Sequence, residues 1–66
     1  MTDRDLIAAI RQSVKDRGYP PSVTELSKQF GVGRATIHLD LNRLVEQGRI
    51  RREPNIARGI TIVESE

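Results

Sequence analysis

The sequence predicts an α+β fold in which three helices are followed by a two-stranded β-hairpin. Three observations carry this expectation. Glycines at positions 18, 31 and 48 divide the first part of the chain into three segments, each with a helix-like pattern. Within those segments apolar residues recur at spacings of three and four, the period of a buried helical stripe. Beyond Gly48 the period changes to the alternation Ile60-Thr61-Ile62, and the Pro54-Asn55 pair marks a turn before it.

The first helix is expected over about 2–17. Thr2 is a good N-cap, and Asp3 and Asp5 fall in the first turn, where carboxylates suit the helix dipole. Leu6, Ile7, Ile10 and Val14 make its apolar stripe, while Arg4, Arg11 and Asp16 lie off it as solvated charges. Lys15 and Arg17 sit in the last turn, and Gly18 ends the helix. The following Tyr19-Pro20-Pro21 cannot extend it, because proline fixes φ and lacks an N–H. The Tyr19 ring is expected to close the core beside this loop.

The second helix is expected over about 22–30. Ser22-Val23-Thr24-Glu25 is a capping box, in which hydroxyl and carboxylate each accept from a backbone amide. Leu26 and Phe30 face inward, and Ser27 is small where the next helix must cross closely. Gly31-Val32-Gly33 has room only for a tight turn at a steep angle. The third helix, about 34–47, carries the buried stripe Ile37, Leu41, Leu44 and Val45. Arg34, Ala35, Thr36, His38, Leu39, Asn42 and Arg43 lie off that stripe, with His38 at its edge.

A short capped helix, a glycine turn and an amphipathic helix make a helix-turn-helix. Strands are expected at about 49–52 and 59–63, packed on the helices through Ile50, Ile60 and Ile62. That hairpin is a wing with a basic tip, which completes a winged helix-turn-helix. Glu64-Ser65-Glu66 reads as a frayed polar tail. No repeat or linker divides residues 1–66, so one domain is expected.

Composition excludes several function classes. The chain has no cysteine and one histidine, so neither a disulfide nor a histidine or thiolate metal site is expected, and no cofactor is expected either. No nucleophile–base pair stands at helical spacing, and Gly31-Val32-Gly33 follows a helix where a phosphate-binding loop would follow a strand. The chain is therefore not expected to be an enzyme. No stretch reaches membrane-spanning length and MTDRD is not a signal peptide, so a cytoplasmic, nucleoid-associated protein is expected.

Charge is unevenly spread. The net value is only +2. Residues 34–63 nevertheless hold six bases (Arg34, Arg43, Arg49, Arg51, Arg52 and Arg58) against three acids. All six are arginine, the side chain that grips phosphate or guanine in two-pronged fashion. The third helix adds hydroxyl, amide, imidazole and methyl groups, a mixture suited to base edges in the major groove.

Residues 20–31, PPSVTELSKQFG, together with Ala57-Arg58-Gly59-Ile60, resemble the N-terminal DNA-binding domain of LexA-type repressors. Residues 32–48, VGRATIHLDLNRLVEQG, also resemble the DeoR-type winged helix-turn-helix, notably at Thr36-Ile37 and Asp40-Leu41-Asn42. The resemblance implies a third helix in the major groove, with base-facing roles for Arg34, Ala35, Thr36, His38 and Leu39. Gly33 stands where many relatives have a capping serine, so a hydroxyl contact to phosphate is missing there. The serine–lysine protease domain and dimer interface of LexA-type repressors have no counterpart in these residues, so self-cleavage is not implied.

The expected DNA surface thus comprises Gly33, Arg34, Ala35, Thr36, His38, Leu39, Asn42 and Arg43 on the helix and Arg51, Arg52, Asn55 and Arg58 on the wing. Its expected partner is double-stranded DNA, with a homodimer on a palindromic site and the role of a bacterial or phage transcriptional regulator. The alternative is a protein–protein interaction module, or an accessory subunit of a larger nucleoprotein complex, using Leu39 and the wing to hold a protein partner.

Overall fold

The structure, a computed structural model, describes residues 2–53, 56 and 58–63. Three helices lead into one antiparallel pair of strands: α1 (Asp3–Arg17), α2 (Val23–Phe30), α3 (Arg34–Glu46), β1 (Ile50–Arg52) and β2 (Ile60–Ile62). This is the α+β winged helix-turn-helix arrangement. Among the described residues no helix is long and apolar enough to cross a membrane.

Local sequence accounts for the starts of the first two helices. Thr2 Oγ1 accepts from the Asp5 amide, and the Thr2 amide donates to Asp5 Oδ2, both at 3.1 Å. Ser22 and Glu25 repeat the exchange at 3.2 and 3.1 Å. Each box satisfies two amides that the helix itself leaves without an acceptor. The turn after α2 needs Gly31, whose φ of 67° is costly for residues with a Cβ. The Ser27 hydroxyl donates to the Val32 carbonyl and closes the same turn.

The core is a single aliphatic cluster of Leu6, Ile7, Ile10, Leu26, Ile37, Leu41, Leu44, Ile50 and Ile60. Every helix and both strands contribute to it. Truncating one of the fully buried leucines to Ala would cost about 2–5 kcal/mol, because transfer and cavity costs add. Ala9, Val23, Phe30, Val32 and Ile62 pack around its edge.

Three core assignments differ from expectation. On α1 the buried position is Ser13, and Val14 is 44 % exposed. Ser13 turns inward because its hydroxyl donates to the Tyr19 carbonyl at 2.9 Å, tying the proline loop to the helix. On α3 Val45 is 39 % exposed, so the stripe narrows to Ile37, Leu41 and Leu44. Tyr19 is 41 % exposed and its ring lies against arginines outside the core.

The strands are three residues each, with Ile50 opposite Ile62, Arg51 opposite Thr61 and Arg52 opposite Ile60. One face carries buried Ile50 and Ile60, which anchor the hairpin, while Arg51 and Thr61 point to the other, exposed face. Backbone bonding extends past the ladder at both ends. Val63 N–H donates to the Arg49 carbonyl at 3.0 Å, and Glu53 N–H donates to the Gly59 carbonyl at 2.7 Å.

Gly59 is needed here for its missing side chain. A Cβ at this position would come within 2.7 Å of Glu53 Cβ and 2.8 Å of the Glu53 carbonyl oxygen. The turn expected at Pro54-Asn55 and the frayed tail expected at 64–66 lie outside the described residues.

Candidate nucleic-acid interface

The third helix presents its site residues by rotation about its axis. Buried Ile37, Leu41 and Leu44 set the inward direction. At 100° per residue, the line most nearly opposite runs through Ala35, Leu39, Asn42 and Glu46. His38 flanks it on one side, and Thr36 and Arg43 on the other. All of these side chains are exposed, and Leu39 is the most exposed large hydrophobic residue described, at 67 %. His38, expected at the edge of the stripe, stands clear of the core.

The two ends of this outward line differ. Arg34, Ala35 and Thr36 form the first turn, and no side chain caps it because Gly33 has none to offer. Nor does that turn contain an acidic residue, unlike the first turns of α1 and α2. Three amides at the positive end of the helix dipole are thus open to an external acceptor. At the far end Glu46 places a carboxylate on the outward line. An anionic partner is therefore favoured toward the N-terminal half. Sequence reading did not single out Glu46, although the 3.6-residue period places it one turn beyond Asn42.

The expected arginines divide into two groups. Arg34, Arg51 and Arg52 form no ion pair with another described residue. Arg51 projects from the exposed face of the wing, whereas Arg52 is half-buried on the face that carries the core isoleucines. Arg43 and Arg58 are engaged within the protein. Arg43 Nη2 donates to Asp40 Oδ1 and to Asp3 Oδ1, each at 2.8 Å, tying α3 to the start of α1. That hydrogen bond from Arg43 is the main cause of a lowered Asp3 pKa, and it raises that of Arg43 in turn.

Arg58 makes a tighter arrangement. Its Nη1 and Nη2 donate to Glu25 Oε1 and Oε2, both at 2.6 Å, and Nη1 also donates to the Pro20 carbonyl at 3.1 Å. Its Cζ lies 4.6 Å from the centre of the Tyr19 ring, and Arg17 Cζ lies 5.4 Å from the same centre. The guanidinium, then the Ser22 amide, hold the Glu25 carboxyl down to about 2. Nothing in local sequence signals this pair, because its members are 33 residues apart. Asn55, the remaining expected contact, lies outside the described residues.

Among the described residues no group of three His, Cys, Asp or Glu could hold a metal ion. The site offers hydrogen-bond donors, cationic groups and a few apolar contacts on an exposed helix face, which suits recognition of a polyanion with a groove.

The LexA DNA binding domain family matches residues 1–59 of this chain. The chain belongs to that family. Individual relatives agree with the family match. The LexA repressor of Brevibacillus brevis is 42 % identical over 62 residues, covering 92 % of this chain and 30 % of that protein. That of Bacillus cytotoxicus is 41 % identical over 64 residues, 96 % of this chain and 31 % of the relative. That of Oleidesulfovibrio alaskensis is 38 % identical over 61 residues, again 92 % and 30 %. The chain thus spans about a third of the length of the curated relatives it matches.

Proposed function

We propose that this protein binds double-stranded DNA in a sequence-specific way and acts as a repressor-like bacterial transcriptional regulator. Membership of the LexA DNA-binding family over 59 of the 66 residues carries this reading. The exposed outward line of α3 and its uncapped first turn support it. In this reading α3 lies in the major groove, with Arg34, Ala35, Thr36, His38, Leu39 and Asn42 near base edges. Arg51 and Arg52 hold backbone phosphate, which sets position without specifying sequence. The first-turn amides of α3 donate to a phosphate as helix N-termini do. Such a protein works in the cytosol, at the nucleoid.

A gel-shift selection from random-sequence duplexes, run at several salt concentrations, tests this. With about six phosphates contacted, log K falls against log salt with a slope of about −5. Arg34→Ala and Leu39→Ala are expected to change which sequences are selected, and Arg51→Ala to weaken all of them alike. Absence of binding, or binding insensitive to salt, would remove the reading. The exposure of Leu39 also suits a protein partner. Leu39→Asp that loses a co-purifying protein yet leaves DNA selection unchanged would favour that alternative.

A further inference from the structure

We infer that Arg58 acts on DNA indirectly, as a positioning residue that clamps the wing to the helix-turn-helix through Glu25. This rests on the DNA-binding reading above. Arg58 is basic, sits at the loop end of an arginine-rich hairpin, just before β2, and would ordinarily be counted among the phosphate contacts. The geometry assigns it elsewhere.

Among the described residues the hairpin has little to hold it beyond its own root. Its ladder is three residue pairs long, and isolated two-stranded hairpins are marginal in water. Ile50 and Ile60 bury their side chains and fix the strands. Past Arg52 and Ile60 the backbone bonds among the described residues run from Glu53 N–H to the Gly59 carbonyl and from Gly59 N–H to the Ile56 carbonyl, both internal to the hairpin. They shape the loop but do not tie it to a helix. Arg58 does. Its guanidinium reaches the loop before α2 at the Pro20 carbonyl and Tyr19 ring, and α2 itself at both oxygens of Glu25.

Three adjoining features converge on this clamp. Gly59 lets the chain pass so close to Glu53 that a side chain there would collide. Glu25 is at the same time the capping-box carboxylate of α2, so its orientation is fixed from the helix side as well. α2 in turn packs on α3 through the Gly31 turn and Leu26. A continuous chain of contacts therefore runs from the wing through Arg58 and Glu25 to α3, and it sets where Arg51 stands relative to the outward line of that helix. A phosphate reaching Arg58 would have to displace a two-pronged carboxylate, so the pair adds almost no net attraction for DNA.

The test turns on the sign of the Glu25→Gln effect. Gln serves at the third position of a capping box, so the helix start is kept while the charged partner of Arg58 is lost. Kd for one duplex, taken by the wild-type chain from a random-sequence pool, is measured against salt for wild type, Glu25→Gln, Arg58→Ala, Arg58→Lys and the Glu25→Gln/Arg58→Ala double variant. Thermal melting sets conditions under which each remains folded. In the free protein, amide exchange is measured at Glu53 and Gly59.

If Arg58 positions the wing, Glu25→Gln and Arg58→Ala each weaken binding by roughly two- to thirtyfold. The double variant then loses no more than either single one. Arg58→Lys fails to rescue, because an ammonium cannot match both carboxylate oxygens. The Glu53 and Gly59 amides exchange faster while those inside α1 do not. If Arg58 contacts phosphate, removing the acid beside it leaves binding unchanged or tightens it, Lys rescues, and Arg58→Ala lowers the salt slope by about 0.9. That result overturns the inference and leaves the DNA-binding reading intact. Altered melting with unchanged Kd in both single variants overturns it equally. A wild-type chain that selects no duplex removes both.

Discussion

Ser27 and Ser13 do comparable work on two different loops. Each is a helix residue whose hydroxyl donates to a carbonyl beyond the helix end, Val32 for one and Tyr19 for the other. Replacing Ser27 by Ala leaves that carbonyl short of a donor at a cost of about 1 kcal/mol, part of which better helix propensity offsets. The expected net loss of roughly 0.5–1 kcal/mol lowers the midpoint of a thermal melt, followed by circular dichroism, by about 2–8 °C.

Glu25 gives a prediction in pH. Its folded-state value of about 2 lies below the ordinary 4.5, so the unfolded chain takes up the proton first as pH falls. The stabilisation is fully present above pH 4.5 and is lost as pH drops toward 2. Melting temperature measured across that range should therefore fall less steeply in Glu25→Gln than in wild type. Asp3, also lowered, leaves some of the slope in place.

Among the elements, α3 and the wing illustrate different kinds of constraint. The inward stripe of α3 is set by hydrophobic burial, and its outward residues are free of the core. The wing is set by a close backbone approach. Gly59→Ala places a methyl group within 2.8 Å of the Glu53 carbonyl oxygen, which belongs to the backbone and cannot rotate away. The expected cost is about 1–3 kcal/mol, as for overpacking elsewhere. It should show in urea denaturation and in faster exchange of the Glu53 amide, with the helix content by circular dichroism unchanged below the transition.

The molecule as a whole is small and carries a net charge of only +2. In the proposed DNA-binding role, its attraction for DNA rests on local placement of arginines more than on a global field. A single module of this kind buries about 600–1,000 Å² on DNA and binds modestly. The expected outcome is two copies on a palindrome with half-sites about one helical turn apart. Analytical ultracentrifugation with a labelled palindromic duplex checks this by resolving two-to-one from one-to-one complexes. Halving the palindrome should then weaken binding much more than twofold.

Much of this was legible in the chain because it is encoded over short distances. The N-cap at Thr2, the capping box at Ser22, the turn at Gly31 and the stripe from Ile37 to Leu44 depend on residues at most eight positions apart. Local hydrogen bonding and the 3.6-residue period determine them, and with them the helix-turn-helix and the exposed helix face. The alternation around Ile60 likewise revealed the second strand. What only the tertiary structure decided depends on where the folded loops and packed elements bring individual groups together. Ser13 replaces Val14 in the core because a loop carbonyl folds back onto it. Tyr19 leaves the core to lie beside two arginines. Arg43 is drawn to Asp3 across 40 positions and Arg58 to Glu25 across 33. Side chains as long as arginine choose among partners brought near by packing, and no periodicity in the chain records that choice.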